Sequence, residues 1–599
     1  MGHYREFDSA FSKWRRACSY LPLLCALLAA ATLSAVAVAG FEDDAARDNG
    51  PLVQTAGGPV VGFKQNGVYE FLGIPYAAPP VGSLRWMPPQ PVAHWDRPLH
   101  ATHFGNTCAQ VTEFGVFAGP ASAQEDCLFL NVFTTNLVSG RRENTSGSKG
   151  SPVLVWIHGG GNLDGESNDY DATKLATGGP NGIPTVVVTL NYRLGLFGFL
   201  AHPALDAEGH LHGNYGILDQ QAVLRWVQRN IAAFGGDPTR VTLGGQSAGA
   251  QDTGMNQISP LAAGLFQRAI YQSTPLTGIA LMTVTIYPVA LANGEAFAQA
   301  ADCGIDASPA TAACLRKLTT PQILQLEGTP SAPSRFVTGA MLDGTIMPIT
   351  PIEAWSTGKF NKTPIMGGNV QDEANFGIGI GEYFATPQAP MTAEQYIAGV
   401  RQTYSGPEFS GGPNYPAGTV DKILAEYPPN LDNLTPQQVS NLVGSHPIGC
   451  SAVLIEQLWS KWVPVYAYEF NDEQAPYYFP HLPEFEPLAA HTIDIQFLFR
   501  NWHGSVFGVN HPANLSQAEE VLSDELVAAW THFAATGNPN GHGNSPWPQF
   551  TSATNRPAIL SEKPGLGTFT QEEWSRNHNC SFWTGNTVDG GILRFPPRH

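Results

Sequence analysis

The stretch from Gly236 to Ala250, GDPTRVTLGGQSAGA, constrains the fold of this chain more than any other. Residues 240–243 form a short β-prone run, two glycines interrupt it, and small residues that can begin a helix follow. Residues 245–249 match the G-x-S-x-G pattern, in which a sharp strand-to-helix turn lifts the serine hydroxyl above a sheet. The flanking glycines let neighbouring backbone approach closely. The stretch therefore predicts a strand, a tight turn and a helix, with Ser247 as a candidate nucleophile.

Apolar segments around this turn complete an alternating pattern. Residues 153–157 and 185–190 are continuous apolar runs, typical of strands that are buried on both faces. Between residues 218 and 234 the apolar positions recur at roughly helical spacing and end at two glycines. Because strands and helices alternate, the sequence predicts a parallel α/β sheet. Further strands are predicted at residues 60–63, 69–72, 128–134, 267–272, 362–367 and 464–470, and a late helix at 522–535.

Composition and charge restrict the class of protein. The chain has 599 residues, 43% of them hydrophobic and 14% charged, which indicates a globular protein with a large core. Its formal net charge of −19 argues against nucleic acid and anionic membrane surfaces as partners, because both would repel it. We find no tandem repeats and no long disordered linker, so residues 40–599 are predicted to form one domain.

The N-terminal segment has the features of a secretory signal peptide. Lys13, Arg15 and Arg16 precede an apolar run, residues 21–39, that ends in an A-x-A-like cleavage site. We predict cleavage after Ala39, so that residues 1–39 are removed and the mature protein is secreted without stable membrane insertion. The alternative is a retained signal anchor, because the run is long enough to span a bilayer.

Cysteines and glycosylation sequons agree with secretion. Cys18 and Cys25 lie in the predicted signal peptide, and no C-x-x-C pair indicates a zinc site. The remaining cysteines allow many pairings, and closeness in sequence favours Cys108–Cys127 and Cys303–Cys314, leaving Cys450–Cys580. Asn-x-Ser/Thr sequons occur at Asn144, Asn361, Asn433, Asn514 and Asn579.

A nucleophilic serine needs a base, an acid that orients the base, and N–H donors for the oxyanion. The donors are predicted in residues 158–161, a His-Gly-Gly-Gly loop directly after the strand at 153–157. The acid is either Asp372 or Glu373, both on the polar loop that follows the strand at 362–367. His491 is the best of several candidates for the base; the others are His446, His481, His503, His511 and His532.

Eight segments of the chain resemble the type-B carboxylesterase/lipase family, the cholinesterase-like branch of the α/β-hydrolases. The resemblance extends from about Gly58 to Trp583 and implies a central, mostly parallel twisted sheet flanked by helices, with large loop and helical insertions. The segments are FLGIPYAAPPVGSLRW (71–86), EDCLFLNVF (125–133), VLVWIHGGG (153–161), NYRLGLFGFL (191–200), GNYGILDQQAVLRWVQRNIAAFGGDP (213–238), GGQSAGA (244–250), GNVQDEANF (368–376) and AHTIDIQFLF (490–499).

The resemblance also implies roles for particular residues. It implies a triad of Ser247 as nucleophile, Glu373 as acid and His491 as base. It implies an oxyanion hole, the same three disulfides, and neither a metal nor an organic cofactor. The oxyanion hole is implied to consist of the N–H groups of Gly160, Gly161 and Ala248.

The function that follows is a secreted serine carboxylesterase that works through an acyl-enzyme intermediate on small-molecule or lipid esters. A lipase for long-chain acyl esters is one alternative, and a membrane-anchored esterase is another. A third is a non-catalytic adhesion protein of the cholinesterase-like type, although such members typically lack a triad residue.

Two positions depart from the pattern of this family. Gln246 stands where glutamate is usual, so a negative charge beside the nucleophile is absent and preference for cationic substrates should be lower. Asn162 follows the three glycines where an aromatic residue is common, so the pocket shape of the family does not carry over. The loop 108–127 contains Phe114 and Phe117 but no tryptophan, the best aromatic face for a quaternary ammonium group. A cholinesterase is therefore not expected.

Overall fold

The computed structural model describes most of the chain beyond the predicted signal peptide. The described residues are 50–112, 119–137, 150–273, 284–329, 332–334, 336–337, 339–405, 415, 418–477, 481–500, 502 and 514–584. The predicted signal peptide, Phe114, Phe117, Asn144, His503 and His511 lie outside them. Within these ranges no helix has both the length and the apolar composition needed to cross a membrane.

Eleven strands of the described residues form one sheet. Across the sheet their order is 11-10-9-8-7-6-4-5-3-2-1, numbered along the chain. The central strands of this order, 10-9-8-7-6-4-5, run parallel to one another. The pairs toward the two edges, 11-10 on one side and 5-3, 3-2 and 2-1 on the other, are antiparallel. The predicted parallel α/β sheet is thus confirmed. In chain order the strands are β1 (Phe63–Gln65), β2 (Val68–Pro75), β3 (Phe129–Thr134), β4 (Ser151–Ile157), β5 (Val186–Leu190), β6 (Gly236–Gln246), β7 (Arg268–Gln272), β8 (Ile365–Val370), β9 (Val465–Phe470), β10 (Pro557–Glu562) and β11 (Gly567–Thr570).

Helices connect these strands and pack on both faces of the sheet. The α-helices of the described residues are α1 (Thr173–Thr177), α2 (Gly195–Gly198), α3 (Pro203–Asp206), α4 (Tyr215–Asn230), α5 (Ala248–Ile258), α6 (Tyr287–Ala300), α7 (Pro309–Lys317), α8 (Thr320–Glu327), α9 (Pro351–Thr357), α10 (Asn375–Phe384), α11 (Ala393–Ser405), α12 (Thr419–Glu426), α13 (Pro436–Trp459), α14 (Ile495–Leu498), α15 (Gln517–Thr536), α16 (Gln571–Asn577) and α17 (Cys580–Trp583). Short strands at Leu52–Gln54, Pro59–Val61 and Leu99–His100 form a separate small sheet.

The sheet separates two hydrophobic cores, and β4 contributes to both. Successive side chains of a strand point to opposite faces. Val153 and Val155 therefore belong to the core that also contains the apolar face of α4, whereas Leu154 and Trp156 join the core under α15. A strand that is covered on both faces needs apolar residues at every position, which is why residues 153–157 form a continuous apolar run.

Element boundaries differ from the sequence prediction where backbone hydrogen bonding decides them. The predicted helix 218–234 consists of α4 and a 3-10 turn, Ile231–Phe234, which ends at Gly235 with a φ of 83°. The predicted strand 240–243 extends over the whole of β6. The strand predicted at 362–367 begins only at Ile365, since Pro364 has no N–H to donate to a neighbouring strand.

Three disulfides have the pairing that the sequence predicted. They join Cys108 to Cys127, Cys303 to Cys314 and Cys450 to Cys580. The last connects α13 to α17 across a sequence separation of 130, whereas the second closes a separation of 11. The long-range bond therefore removes much more conformational freedom from the unfolded chain.

Replacing Cys450 and Cys580 together by alanine should destabilise the protein more than the same change at Cys303 and Cys314. The chain-entropy model gives losses of about 5 and about 3 kcal/mol in the free energy of unfolding. Thermal unfolding of the oxidised protein and both variants, followed by calorimetry, measures the order of the two losses. Equal losses would contradict the entropic argument.

Candidate active site

Ser247 lies on a strained turn between β6 and α5. Its φ of 56° and ψ of −122° are unusual for a residue with a side chain. A Cβ on Gly249 would lie 2.0 Å from the carbonyl oxygen of Ile157, and one on Gly245 would lie 2.5 Å from that of Gly249. Both positions thus require glycine. The Ser247 N–H donates to the carbonyl of Gln272 at 3.0 Å, which fixes the turn to β7.

Glu373 and His491 meet beside this turn. Glu373 follows β8, and its Oε1 accepts hydrogen bonds from the N–H of Val370 at 3.1 Å and from Asn369 at 3.2 Å. Its Oε2 lies 2.5 Å from Nδ1 of His491. A carboxylate accepts, so Nδ1 carries the proton and Nε2 is left as the acceptor. The pair is therefore arranged with a basic nitrogen on the side away from the carboxylate.

Asp372, which residue patterns alone left as an alternative to Glu373, has a different position. Its carboxylate accepts from Asn441 at 2.6 Å and from the Ala489 N–H at 3.3 Å. Its own N–H donates to the Ala489 carbonyl at 3.0 Å. These bonds hold the loop that carries His491, and the contact with the imidazole itself is made by Glu373.

The other candidate bases in the described residues lie elsewhere. His446 is hydrogen-bonded to Tyr427 at 2.9 Å, and Nε2 of His532 lies 3.1 Å from the Asn181 carbonyl oxygen. His481 is exposed. Of the candidates in the described residues, His491 is the one that lies beside the serine turn.

The glycine loop after β4 runs close to Ser247. A Cβ on Gly159 would lie 3.1 Å from the Cβ of Ser247. Gly160 and Gly161 have φ values of 105° and 65°, which favour glycine. Among the described residues no backbone or side-chain acceptor pairs with the N–H of either glycine, and the first N–H of α5, from Ala248, has no acceptor within the helix. The N–H groups of Gly160 and Gly161 are thus without an acceptor among the described residues, on a loop that approaches Ser247 at Gly159.

Gln246 contacts His491. Its Nε2 lies 3.2 Å from Nε2 of the imidazole, and its side chain is buried. Because Nδ1 donates to Glu373, the amide N–H of Gln246 donates to Nε2. The group that contacts the imidazole is thus an uncharged amide, at the position where glutamate is usual in the family.

Sequence reasoning missed other polar and aromatic groups at this site. The ring of Phe376 packs edge-on against His491, with 5.6 Å between the ring centroids. Asp494 is buried near His491, and burial raises its pKa to about 7. Its place three residues after His491 was the one available signal. Asn162, which the sequence analysis named only as a departure from the family pattern, is also buried, and its side chain bonds inward to Tyr192 and Asp252.

The described residues contain no cluster of histidine, cysteine, aspartate or glutamate arranged to hold a metal ion. The chemistry available to the described side chains is that of a hydroxyl, an imidazole and a carboxylate, with N–H donors nearby. This set suits attack of a serine oxygen on a carbonyl carbon.

Comparisons with known proteins identify the family of the chain. The carboxylesterase family model matches residues 49–583. The chain is 33% identical over 517 residues to fumonisin B1 esterase of Sphingopyxis macrogoltabida, covering 84% of this chain and 85% of the relative. It is 31% identical over 585 residues to carboxylesterase 1E of Mus musculus, covering 92% and 96%. A solved PNB esterase structure aligns with a TM-score of 0.68 at 27% identity, covering 89% of this chain and 99% of the other.

The chain belongs to the carboxylesterase family, the type-B, cholinesterase-like branch of the α/β-hydrolases. It is a carboxylic ester hydrolase with the fold that the resemblance implied.

The charge of Glu373 should set the acidic limit of activity. Burial lowers the pKa of His491, but the charge and hydrogen bond of Glu373, together with the nearby Asp494, raise it, so its pKa lies above its ordinary value. A general base must be neutral, so activity should fall as the pH drops through this raised pKa. Glu373→Gln removes the charge. We expect kcat to fall roughly 10³–10⁴-fold and the acidic limb of kcat/KM to move to lower pH.

The matched control is Asp372→Asn, because burial raises the pKa of Asp372 to about 6, in the same pH range. The acidic limb of the kcat/KM profile of this variant should lie at the same pH as in the unaltered protein. Profiles of kcat/KM from pH 4 to 9 measure both variants. If the acidic limb moves in Asp372→Asn and stays in place in Glu373→Gln, then Asp372 sets the acidic limit and this prediction is wrong.

Proposed function

We propose that the protein is a serine carboxylesterase with a triad of Ser247, His491 and Glu373. The observation that carries this proposal is the 2.5 Å contact between Glu373 Oε2 and His491 Nδ1, beside the strained serine turn. It leaves Nε2 of the imidazole unprotonated, so that in the proposed reaction the Ser247 hydroxyl replaces the Gln246 amide as the donor to this nitrogen. The membership of the chain in the carboxylesterase family supports the same assignment.

Acylation begins when Nε2 of His491 removes the proton of the Ser247 hydroxyl. The serine oxygen attacks the ester carbonyl carbon, and the carbonyl π electrons move to its oxygen. The N–H groups of Gly160, Gly161 and Ala248 donate to this oxyanion. The intermediate then collapses, the bond to the alcohol oxygen breaks, and the imidazolium of His491 gives its proton to the leaving alcohol.

Deacylation repeats these steps with water. His491 removes a proton from water as its oxygen attacks the acyl-enzyme carbonyl, and the same N–H groups stabilise the second oxyanion. Collapse breaks the bond to Ser247, whose oxygen takes the proton back from His491. The net reaction converts an ester and water to a carboxylic acid and an alcohol, and the enzyme returns to its initial state.

Glu373 has two tasks in this scheme. Its hydrogen bond from Nδ1 keeps the proton on that nitrogen, so that Nε2 faces the serine, and its charge stabilises the imidazolium. Gln246 next to the nucleophile contributes no charge. We therefore propose neutral or anionic esters as preferred substrates, in preference to cationic ones.

A series of nitrophenyl esters from acetate to palmitate, with the Ser247→Ala variant beside the unaltered protein, tests this function. We expect the variant to lose at least about 10³-fold in kcat, since the covalent route needs the hydroxyl. An optimum at short chains indicates an esterase, and an optimum at long chains indicates a lipase. Fumonisin B1 joins the panel because one relative is named for hydrolysing it.

Equal turnover by the two proteins would exclude Ser247 as the nucleophile. If neither protein turns over any ester of the panel, the alternative of a non-catalytic adhesion protein is favoured.

We also propose that the protein is secreted, with residues 1–39 removed, and glycosylated. The disulfides support an oxidising compartment. Asn433 and Asn514 are exposed. In contrast, the Asn361 amide donates to the Ser259 carbonyl at 3.2 Å, and that of Asn579 donates to Glu426 at 2.8 Å. A glycan needs a free amide that points to solvent, so the four described sequons are not equivalent.

Glycans should occupy Asn433 and Asn514 and be absent from Asn361 and Asn579. Protein secreted from a eukaryotic host is treated with an N-glycosidase in heavy-oxygen water and mapped by peptide mass. Conversion of asparagine to labelled aspartate marks each occupied site. The same map of the N-terminal peptide locates the signal cleavage, and a mature chain that begins before residue 21 would support the anchor.

A further inference from the structure

A buried polar network lies beneath the glycine loop. Asn162, the residue after Gly161, has a φ of 60° and is 4% exposed. Its side-chain Nδ2 donates to Oδ1 of Asp252 at 3.1 Å, and its Oδ1 accepts from the Tyr192 hydroxyl at 2.8 Å. Its carbonyl accepts from the N–H of Gly195 at 2.7 Å. The turn that ends the glycine loop is thus held on several sides.

Asp252 holds the far end of this network. It lies on α5, five residues after Ser247, and is fully buried. While Oδ1 accepts from Asn162, Oδ2 accepts from the Gln220 amide at 2.5 Å. Gln220 is held in turn, because its Oε1 accepts from Asn256 at 2.8 Å. Both oxygens of Asp252 therefore face amide N–H donors. Burial raises the pKa of Asp252 to about 7, while the hydrogen bonds from Asn162 and Gln220 act in the opposite direction and favour its ionised form.

The orientation of the Asn162 amide agrees with its partners. The Tyr192 hydroxyl lies 2.8 Å from Oδ1 of Asn162 and 3.3 Å from the His158 carbonyl oxygen, so the shorter contact assigns Oδ1 to Tyr192 and leaves the Nδ2 group for Asp252. An aromatic residue at position 162 could form neither bond. The asparagine that replaces the usual aromatic residue at position 162 thus has its own hydrogen-bond acceptor, Asp252 on α5.

The network connects the two parts of the chain that supply the proposed oxyanion donors. Gly160 and Gly161 belong to the loop after β4, whereas Ala248 is the first residue of α5. Asp252 stands on the same helix as Ala248, one turn further along, and contacts the residue next to Gly161. The donors must converge to within about 2.7–3.1 Å of one oxygen atom, so their relative position matters.

We propose that Asp252 and Asn162 are positioning residues for the oxyanion hole: their hydrogen bond sets the glycine loop against the start of α5. This inference rests on the proposed function. Both side chains are buried, so we assign them no contact with the substrate. A donor displaced by about 1 Å costs on the order of 100-fold in rate, so loss of this bond acts on the chemical steps rather than on substrate binding.

An exchange of the two side chains tests the proposal. Asn162→Asp alone places two carboxylates within hydrogen-bond distance, and kcat should fall roughly 10- to 100-fold. KM should stay within about threefold, because acylation and deacylation both pass through an oxyanion and slow together. Adding Asp252→Asn restores one donor and one acceptor at each contact, since position 252 then donates to position 162 and still accepts from Gln220. The exchanged protein should recover kcat to within about threefold of the unaltered enzyme.

Affinity for a trifluoromethyl ketone provides a second readout, because its serine adduct places an oxyanion in the hole. The inhibition constant should rise in Asn162→Asp by about the factor by which kcat falls, and should recover in the exchange. Asn162→Ala, which adds no charge, should lower kcat in the same range, and it serves where the charged variant fails to fold.

The matched control is Gln257→Ala, also on α5 and fully buried. Gln257 accepts from Tyr271 at 2.6 Å and donates to Thr363 at 3.2 Å, away from the glycine loop. Its loss should lower the melting temperature while kcat stays within about twofold. A parallel loss of kcat in this control would mean that any damage to α5 has the same effect, and the positioning role would be wrong.

The outcomes separate the two proposals. Retained turnover in Ser247→Ala would overturn the proposed function, and the positioning role with it. An inactive Ser247→Ala together with folded Asn162 variants that keep both kcat and ketone affinity would overturn the positioning role alone. The same holds if the exchanged protein is folded and stays as slow as Asn162→Asp.

Discussion

The site depends on the close approach of two backbone segments, the end of β4 and the start of α5. Gly249 leaves no room for a Cβ, which would lie 2.0 Å from the Ile157 carbonyl oxygen. Residues 158–161 begin where this contact ends, so the approach brings the glycine loop beside Ser247. A side chain at Gly245 or Gly249 would push Ser247, the proposed nucleophile, away from the proposed N–H donors. The strained turn and the loop are therefore parts of one packing arrangement.

The remaining groups reach the serine from strands on one side of it. Glu373 follows β8, and the His491 loop is bonded to Asp372 through Ala489. Carboxyl ends of parallel strands lie at the same edge of a sheet, which is why residues more than a hundred positions apart meet there. The two neighbouring carboxylates have different contacts. Glu373 contacts the imidazole, and Asp372 fixes the loop that carries it.

Burial and charge around the imidazole follow from this arrangement. Glu373 is the carboxylate in contact with His491, and Gln246 offers a neutral amide to the opposite nitrogen. Asp494 is near enough to raise the pKa of His491, and burial brings its own pKa to about 7. Asn162 and Asp252, beneath the glycine loop, form a second set of buried polar groups. The two departures from the family pattern thus both place an amide inside the protein.

The sequence by itself determined the parallel α/β sheet, the serine turn, the glycine loop and the disulfide pairing. Each is a local pattern, or a choice among few partners: apolar runs at 153–157 and 185–190, the glycines at 245 and 249, and cysteines close in sequence. Residue patterns alone left both Asp372 and Glu373 open, and the family resemblance implied Glu373. The contact of Glu373 with His491 is visible only in the tertiary structure, because the two acids are consecutive and packing decides which carboxylate faces the imidazole. The tertiary structure alone revealed the inward turn of Asn162 toward Asp252, 90 residues away. Such contacts have no sequence period, since they depend on how strands and helices from distant parts of the chain pack together.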